Sequence, residues 1–250
     1  YLKVDYNDTF SPGCDHPDSL GEGLRQHVEG IYREFARIKE NVPELVIENC
    51  SSGGHRLEPS MMALTSMSSF SDAHESTNIP IIGRQLHYLL PPRQSQIWAV
   101  LYDTDSVERF MYSLTATFYG RMCLSGPVHD LSDEQMATVH DAVKLYRVVA
   151  PIIRNGYTHF LGELPLNWRD PAGWAGICRI SPDGSEALVV IHEYARETEG
   201  DITVELPLTG TWKVLDCLHD GTTDAPSLSG TTLTLAAGAD FRGYTLHLSR

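Results

Sequence analysis

Two predicted strands of the chain each have a carboxylate at or near their carboxyl end. Lys3 and Asp5 lie two residues apart in the first, a predicted strand over residues 1–6, and therefore share one face of that strand. Asp72 directly follows the second, a predicted strand over residues 68–71. Carboxylates at successive strand ends of a parallel sheet suit glycoside hydrolysis, in which one is a nucleophile and the other an acid and then a base.

The residue types also suggest which carboxylate has which role. We expect Lys3 to help keep Asp5 ionised, as a nucleophile must be when it attacks. Neighbouring negative charge and partial burial would instead keep Asp72 protonated until it donates. An ordinary strand-end ion pair and a helix N-cap are the structural alternatives for the two residues. His74 and Glu75 compete with Asp72 for the acid role, and spacing alone does not choose among them.

A segment rich in small residues lies between the two carboxylates, from Glu48 to Glu58, and contains Gly53-Gly54. Glycines let the backbone approach a ligand closely, and the amides of such a loop can donate to sugar hydroxyls. The alternative interpretation is a tight turn without a ligand.

Composition restricts the class of partner. The chain has 250 residues, 42% of them hydrophobic, and a formal net charge of −14 from 19 basic and 33 acidic groups. So negative a surface disfavours nucleic acid and anionic membranes, and a neutral sugar fits better. No apolar run approaches the length of a membrane span. The five widely spaced cysteines and eleven histidines form no CxxC or HExxH pattern, so we expect no disulfide scaffold, no metal and no other cofactor.

Apolar periodicity divides the chain into two parts. Residues 1–156 alternate short strands with helical stretches, which predicts an α/β domain with a parallel sheet. From residue 157 to residue 250 the period changes to two, which predicts an antiparallel β-domain. The strands expected in the first part are residues 1–6, 45–49, 68–71, 97–101 and 122–124. Those expected in the second are residues 186–194, 201–206, 211–217, 231–235 and 243–248.

Three helices are expected in the first part. The first is amphipathic, with a buried stripe of Leu20, Leu24, Val28, Ile31, Phe35 and Ile38. The other two begin at capping pairs, Asp105 with Glu108 and Ser132 with Gln135. The last buries Met136, Val139, Val143, Tyr146, Ala150 and Ile153, and we expect it to end at a left-handed Gly156.

Three linked motifs point to a family: Lys-x-Asp-x-Asn from Lys3, Glu-x-Cys-x-Ser-Gly-Gly-x-Arg from Glu48, and Ser-Asp ending at Asp72. In this order and spacing they resemble glycoside hydrolase family 36, the microbial α-galactosidases or melibiases, from residue 1 to about residue 126. The resemblance implies that Asp5 is the nucleophile of a double displacement and Asp72 the acid/base. It also implies that three residues contact the bound galactose, namely Lys3, Cys50 and Gly53.

The same resemblance implies a fold and an assembly. Residues 1–156 would form the C-terminal half of a (β/α)8 TIM-type barrel, starting at its fourth strand, and residues 157–250 an antiparallel β-sandwich. The remainder of the barrel would lie outside this chain, so we expect the piece alone to be inactive. We expect the full-length protein to be a homo-oligomer, and the cytoplasm is the favoured compartment.

The resemblance implies a retaining α-galactosidase acting on oligosaccharides such as melibiose or raffinose. An α-N-acetylgalactosaminidase and an α-galactosyl transferase would use the same site. The acceptor pocket and the C2-side pocket would decide between them, and Cys50 and the loop from Ser51 to His55 would line the C2 side. A non-catalytic carbohydrate-binding fragment is the alternative from another class.

Overall fold

The structure is a computed structural model. It describes residues 1–5, 16–73, 77–165, 167, 169–195, 200–236 and 240–250. The chain divides into two compact units, residues 1–72 and residues 73–250.

The first unit is a parallel β-sheet with helical connections. Its strands are β1 (Leu2–Val4), β2 (Ile47–Asn49) and β3 (Met67–Ser69), and its helices are α1 (Glu22–Asn41), α2 (Ser51–Gly54) and α3 (Pro59–Met62). β1 pairs with β2 and β2 with β3, both in parallel. This is the βα alternation predicted from the sequence, with strands shorter than expected; Tyr6, the predicted end of β1, lies outside the described residues.

Only the second half of α1 packs against this sheet. Phe35 is buried in one apolar cluster with Ile47 and Met61, and Ile31 and Ile38 pack against that cluster. The expected stripe is wrong at its beginning. Leu20 is 92% exposed and Leu24 39% exposed. Leu20 precedes the helix, which starts only after Gly21, so helical periodicity does not apply to it.

The second unit begins with a further α/β segment. It contains α4 (Ile79–Leu86), β4 (Ser95–Val100), α5 (Val107–Ala116), β5 (Arg121–Ser125) and α6 (Asp133–Asn155), with 3-10 turns at Pro92–Gln94, Thr117–Tyr119 and Val128–Asp130. β4 and β5 are parallel partners. Ala99 and Leu101 pack with Phe110 of α5 and Val139 of α6, so the two helices cover this strand pair.

The start of α6 was predicted correctly, and the start of α5 was not. Ser132 and Gln135 form a complete capping box at the start of α6, as predicted. α5 is capped by Ser106, whose side chain accepts from the Arg109 amide, rather than by Asp105. Asp105 instead forms an ion pair with the Arg109 side chain at 2.8 Å. The predicted cap is therefore wrong by one residue.

The end of α6 also differs from expectation. Gly156 has φ −71° and ψ 169°, which is extended backbone rather than the predicted left-handed cap. A Cβ at this position would lie 2.6 Å from the Ile152 carbonyl oxygen and 2.8 Å from that of Ile180. Close packing, and not a positive φ, is what requires glycine there.

The buried face of α6 is rotated from the predicted stripe. Met136, Val143, Tyr146 and Ala150 are only half-buried. The buried residues are Val139, Ala142, Leu145, Val149, Ile152 and Ile153. Two of the six predicted positions, Val139 and Ile153, are therefore in the core.

The rest of the second unit consists of antiparallel strands. They are β6 (Tyr157–Gly162), β7 (Trp174–Ile180), β8 (Glu186–Glu193), β9 (Ile202–Glu205), β10 (Lys213–Leu218), β11 (Ser227–Ser229), β12 (Thr232–Leu235) and β13 (Arg242–Ser249). One sheet has the order β10-β13-β8-β7-β6 and the other β11-β12-β9. Every predicted segment contains a strand, whereas β6, β7 and β11 were not predicted.

One apolar core joins the two antiparallel sheets. Val189 and Leu246 of the five-stranded sheet belong to the same buried cluster as Val204 and Leu233 of the three-stranded sheet. α6 ends at Asn155 and β6 begins at Tyr157, so the structure changes from helix to antiparallel sheet at residue 156. A domain boundary there stays a prediction.

No described helix is both long and apolar enough to cross a membrane. No group of three or more described His, Cys, Asp or Glu side chains is arranged to hold a metal ion.

Candidate active site

The parallel pairing of β1 and β2 places four polar side chains on one face, three of them candidate site residues. Lys3 is the register partner of Glu48, and Asp5 follows the end of β1 two residues later. The Cys50 amide donates to the Val4 carbonyl at 2.9 Å, which extends the ladder past the last register pair. Because side chains alternate along a strand, Lys3 and Asp5 share a face with Glu48 and Cys50.

Directly after Cys50 the backbone makes a left-handed turn, α2. The φ angles of Ser51, Ser52, Gly53 and Gly54 are 48°, 53°, 66° and 99°. The Gly54 amide donates to the Cys50 carbonyl at 3.0 Å, which closes the turn. A left-handed conformation costs an L-residue about 1–2 kcal/mol, and two of these residues are serines. Strain of this kind concentrates at functional sites.

The turn holds the predicted nucleophile. The Ser52 amide donates to Oδ1 of Asp5 at 3.2 Å, across 47 positions of sequence. A backbone donor on one carboxylate oxygen fixes the orientation of the group. Asp5 is exposed, so a substrate can reach it.

The other side of the turn lies against the predicted acid/base. A Cβ on Gly53 would lie 2.3 Å from the Asp72 amide nitrogen and 2.7 Å from Asp72 Cγ. A Cβ on Gly54 would lie 2.3 Å from the carbonyl oxygen of Phe70, which leads into Asp72. The two glycines therefore permit a close approach, as the sequence predicted. The group that approaches them here is the protein's own segment carrying Asp72.

Asp5 and Asp72 thus flank one four-residue turn. Asp72 caps no described helix, because the next helix, α4, begins at Ile79 with Asn78 as its N-cap. The competing candidates for the acid, His74 and Glu75, lie outside the described residues.

Cys50 is buried beside Asp5, the predicted nucleophile. Cys50 is 2% exposed, and its thiol donates a hydrogen bond to the Asp5 carboxylate. Burial raises the pKa of the Cys50 thiol and the charge of Asp5 raises it further, against the opposing effects of the Gly53 amide and Lys3. Cys50 is therefore a neutral donor to Asp5. Its predicted contact with a sugar stays a prediction.

Lys3 lies beside two carboxylates that attract its charge. Burial lowers the pKa of the Lys3 ammonium, but attraction to the carboxylates of Glu48 and Asp5 opposes burial, and that pKa is raised above its ordinary value. The Lys3 side chain is 45% exposed, so its charged ammonium is accessible from solvent.

Asn49 fixes the start of the turn from within the sheet. Its side chain donates to the Arg56 carbonyl at 2.6 Å and accepts from the Ser51 hydroxyl at 2.8 Å. The Ser68 hydroxyl of β3 donates to the Asn49 carbonyl at 2.6 Å. These buried bonds connect both ends of the turn with the strands on either side.

Sequence reasoning gave no role to two elements of this site. Glu48 is the first residue of one of the three motifs. In the structure it is a buried carboxylate that faces Lys3. A charged residue directly after the apolar run Leu45-Val46-Ile47 is the signal that can reveal it. The left-handed serines have no such signal, because serine is not a residue that prefers this conformation.

A protein family matches the segment that contains this arrangement. A family model described as Melibiase matches residues 1–156, more than half of the chain. The chain belongs to the melibiase family. This is a family of glycoside hydrolases that includes α-galactosidases.

Two curated relatives illustrate the similarity. "Alpha-galactosidase 2" of Pediococcus pentosaceus is 35% identical over 96 residues, which cover 37% of this chain and 13% of that protein. "Probable alpha-galactosidase C" of Aspergillus terreus is 25% identical over 217 residues, covering 81% of this chain and 26% of that protein. This melibiase-family chain therefore spans about a quarter or less of the length of these two relatives.

Solved structures share the fold over nearly the whole chain. The family 36 α-galactosidase AgaA of Geobacillus stearothermophilus, in complex with 1-deoxygalactonojirimycin, superposes with a TM-score of 0.80 at 18% identity. The match covers 99% of this chain and 35% of AgaA. The melibiase-family chain thus has the fold of about one third of such an enzyme, including parallel and antiparallel sheets.

Proposed function

We propose that the protein carrying this chain is a retaining α-galactosidase that removes terminal α-linked galactose from oligosaccharides such as melibiose or raffinose. The observation that carries the proposal is the left-handed turn that touches both carboxylates: its Ser52 amide bonds Asp5, and its Gly53 packs on Asp72. Variants of the relative AgaA are described in complex with raffinose and with stachyose, which supports this class of substrate.

The reaction follows from these two groups. An oxygen of Asp5 attacks the anomeric carbon while the glycosidic C–O bond breaks, and Asp72 gives its proton to the departing oxygen. The product of this step is a galactosyl ester of Asp5. Asp72, now ionised, removes a proton from water, which attacks the same carbon and releases Asp5. Two inversions give net retention.

The neighbouring residues support the two steps in different ways. The Ser52 amide holds Oδ1 of Asp5 and so presents the carboxylate in one orientation. Lys3 and Cys50 contact the galactose, as implied by the family resemblance, from the same face of the sheet as Asp5. Gly53 sets the separation of the two carboxylates, because any larger residue would displace Asp72.

The activity is proposed for the longer protein. Matches to this chain cover 13% and 26% of the curated relatives and 35% of AgaA. In a (β/α)8 barrel the site is built from loops after all eight strands, so residues 1–156 would supply half of it and we expect residues 1–250 alone to be inactive. A homo-oligomeric full-length protein, with residues 157–250 as a separate β-domain, completes the proposal.

Hydrolysis of p-nitrophenyl α-galactoside by the full-length protein tests this function. We expect activity in the parent, and losses of several orders of magnitude in the Asp5→Ala and Asp72→Ala variants. Azide should rescue both, giving β-galactosyl azide with Asp5→Ala and α-galactosyl azide with Asp72→Ala, because it replaces the nucleophile in one and the activated water in the other. Asp141→Asn is the matched control, since Asp141 pairs with Lys144 on the exposed side of α6.

Other outcomes lead to different conclusions. The opposite pairing of azide products would exchange the two roles. An intact parent without activity on α-galactosides would overturn the assignment, and α-N-acetylgalactosaminides and transfer acceptors would be tested next. Calorimetric sugar binding by the same inactive parent would favour the non-catalytic carbohydrate-binding alternative.

A further inference from the structure

Glu48 is a buried carboxylate with a defined environment. The residue is 3% exposed. Its Oε1 lies 3.6 Å from Nζ of Lys3, and its Oε2 accepts a hydrogen bond from the Tyr1 hydroxyl. A buried carboxylate is costly unless it is paired. One oxygen of Glu48 faces an ammonium, and the other accepts a hydrogen bond from a hydroxyl. Glu48 is therefore suited to hold a cation.

The strand register places the Lys3–Glu48 pair next to Asp5 and Cys50. Lys3 and Glu48 face each other across β1 and β2, and two residues further along each chain are Asp5 and Cys50. The four side chains therefore form two neighbouring pairs on one face: Lys3 with Glu48, and Asp5 with the Cys50 thiol. A lysine side chain is long and flexible, so without Glu48 its ammonium would be free to turn into solvent or onto Asp5.

We propose that Glu48 is a positioning residue of the galactoside site, which holds the Lys3 ammonium in place for the sugar and away from a direct ion pair with Asp5. This inference deepens the proposed function and rests on it. Glu48 does not touch the substrate; it acts through Lys3. The raised pKa of Lys3, to which Glu48 contributes by attraction and by a hydrogen bond, agrees with this arrangement.

Steady-state kinetics of four variants test the proposal in the full-length protein: Glu48→Gln, Glu48→Asp, Lys3→Met, and Glu48→Gln combined with Lys3→Met. We expect Glu48→Gln to raise KM about tenfold and to change kcat by less than about threefold, because a mobile Lys3 ammonium binds the sugar less well while Asp5 and Asp72 stay in place. Glu48→Asp should recover most of the loss in KM. In the Lys3→Met background Glu48→Gln should have no further effect, because the group it holds is gone.

A labelling experiment tests the Lys3–Glu48 pair independently of activity. The chain has four lysines, Lys3, Lys39, Lys144 and Lys213. At about pH 8 an acetylating reagent attacks only the neutral amine, whose fraction rises about tenfold for each unit by which the pKa falls. Acetylation of Lys3 relative to the exposed Lys144, measured by mass spectrometry, should therefore increase several-fold in Glu48→Gln and less in Glu48→Asp.

The outcomes separate this inference from the proposed function. An unchanged labelling ratio, an equal loss in the Lys3→Met background, or an effect confined to kcat would overturn the role of Glu48 while leaving the galactosidase assignment intact. A parent inactive on galactosides would refute the proposed function, and the labelling ratio would then decide the Lys3–Glu48 pair alone. If Glu48→Gln does not fold, the Lys3→Met variant decides: a KM equal to that of the active parent contradicts the proposal.

Discussion

Gly53 lies where any side chain would meet the carboxylate on the far side of the turn. Its φ of +66° excludes most L-residues, and an added Cβ would be 2.7 Å from both Cγ and Oδ1 of Asp72. The backbone nitrogen of Asp72 would be closer still, at 2.3 Å, so rotation of the Asp72 side chain would not relieve the clash. At the residue scale, the relative positions of Asp5 and Asp72 therefore depend on the absence of a side chain at position 53.

Gly53→Ala should therefore reduce activity without unfolding the protein. We expect kcat/KM of the full-length protein for an α-galactoside to fall about 100-fold or more, because a displacement of about 1 Å in a catalytic group has that effect. Steady-state kinetics and circular dichroism measure the two quantities.

Gly230→Ala is the matched control. Gly230 has a φ of +64°, yet nothing lies within 4 Å of the Cβ position. It therefore reproduces the backbone strain of Gly53→Ala, about 1 kcal/mol, without the clash. Activity of Gly53→Ala equal to that of Gly230→Ala would show that Asp72 is not displaced.

At the scale of secondary-structure elements, α6 is connected to the preceding loop through its first turn. The Gln135 amide donates to the Ser132 hydroxyl at 3.2 Å, and the Ser132 amide donates to Gln135 Oε1 at 3.0 Å. Nε2 of Gln135 also donates to the carbonyls of Tyr102 and Asp103, which follow β4. The capping box therefore fixes both the start of the helix and its position against the strand pair.

Removing this cap should destabilise the second unit. We expect Ser132→Ala to lower the free energy of unfolding by about 1 kcal/mol, because one amide of the first turn loses its acceptor. Ser132→Asp keeps an acceptor and should remain close to the parent in a urea titration. A Ser132→Ala variant as stable as Ser132→Asp would contradict this role of the box.

At the scale of the whole molecule, stability should depend on pH through buried histidines. The His192 ring is fully buried between α5 and β8, near the Tyr112 carbonyl and the Thr115 hydroxyl at 3.1 and 3.2 Å. Burial lowers the pKa of His192 from 6.5 to about 3, and it has the same effect on His87. Both rings are neutral in the folded protein.

The protein should therefore become less stable as the pH falls below the ordinary histidine pKa. Between about pH 6.5 and about pH 3 the unfolded chain binds more protons than the folded one, so each ring removes about 2 kcal/mol of stability by about pH 5. Urea midpoints at about pH 7 and about pH 5 measure the difference. His192→Gln should be less stable at the higher pH but lose about 2 kcal/mol less on acidification.

His140→Gln is the control for this experiment. His140 is exposed on α6, so its replacement should leave the pH dependence of the parent unchanged. A His192→Gln variant with the full pH dependence of the parent would refute the assignment of the effect to this ring.

The sequence by itself determined the order and type of most elements and named the candidate site residues. Apolar periodicity depends on neighbours a few positions apart, so it predicted the βα alternation and most antiparallel strands, and the Ser-x-x-Gln pattern predicted the capping box at Ser132. The motif spacing likewise singled out Lys3, Asp5 and Asp72 as candidate site residues. These properties are local, and a sequence carries them directly.

Only the tertiary structure decided how those residues are held. Ser51 and Ser52 adopt a left-handed conformation because the turn fits between β1 and the segment carrying Asp72, and nothing in two serines indicates this. The same holds for the burial of Glu48 against Lys3 and for the close contacts that require glycine at position 156. Each depends on atoms that are distant in sequence, so packing and steric clearance, rather than periodicity, determine them.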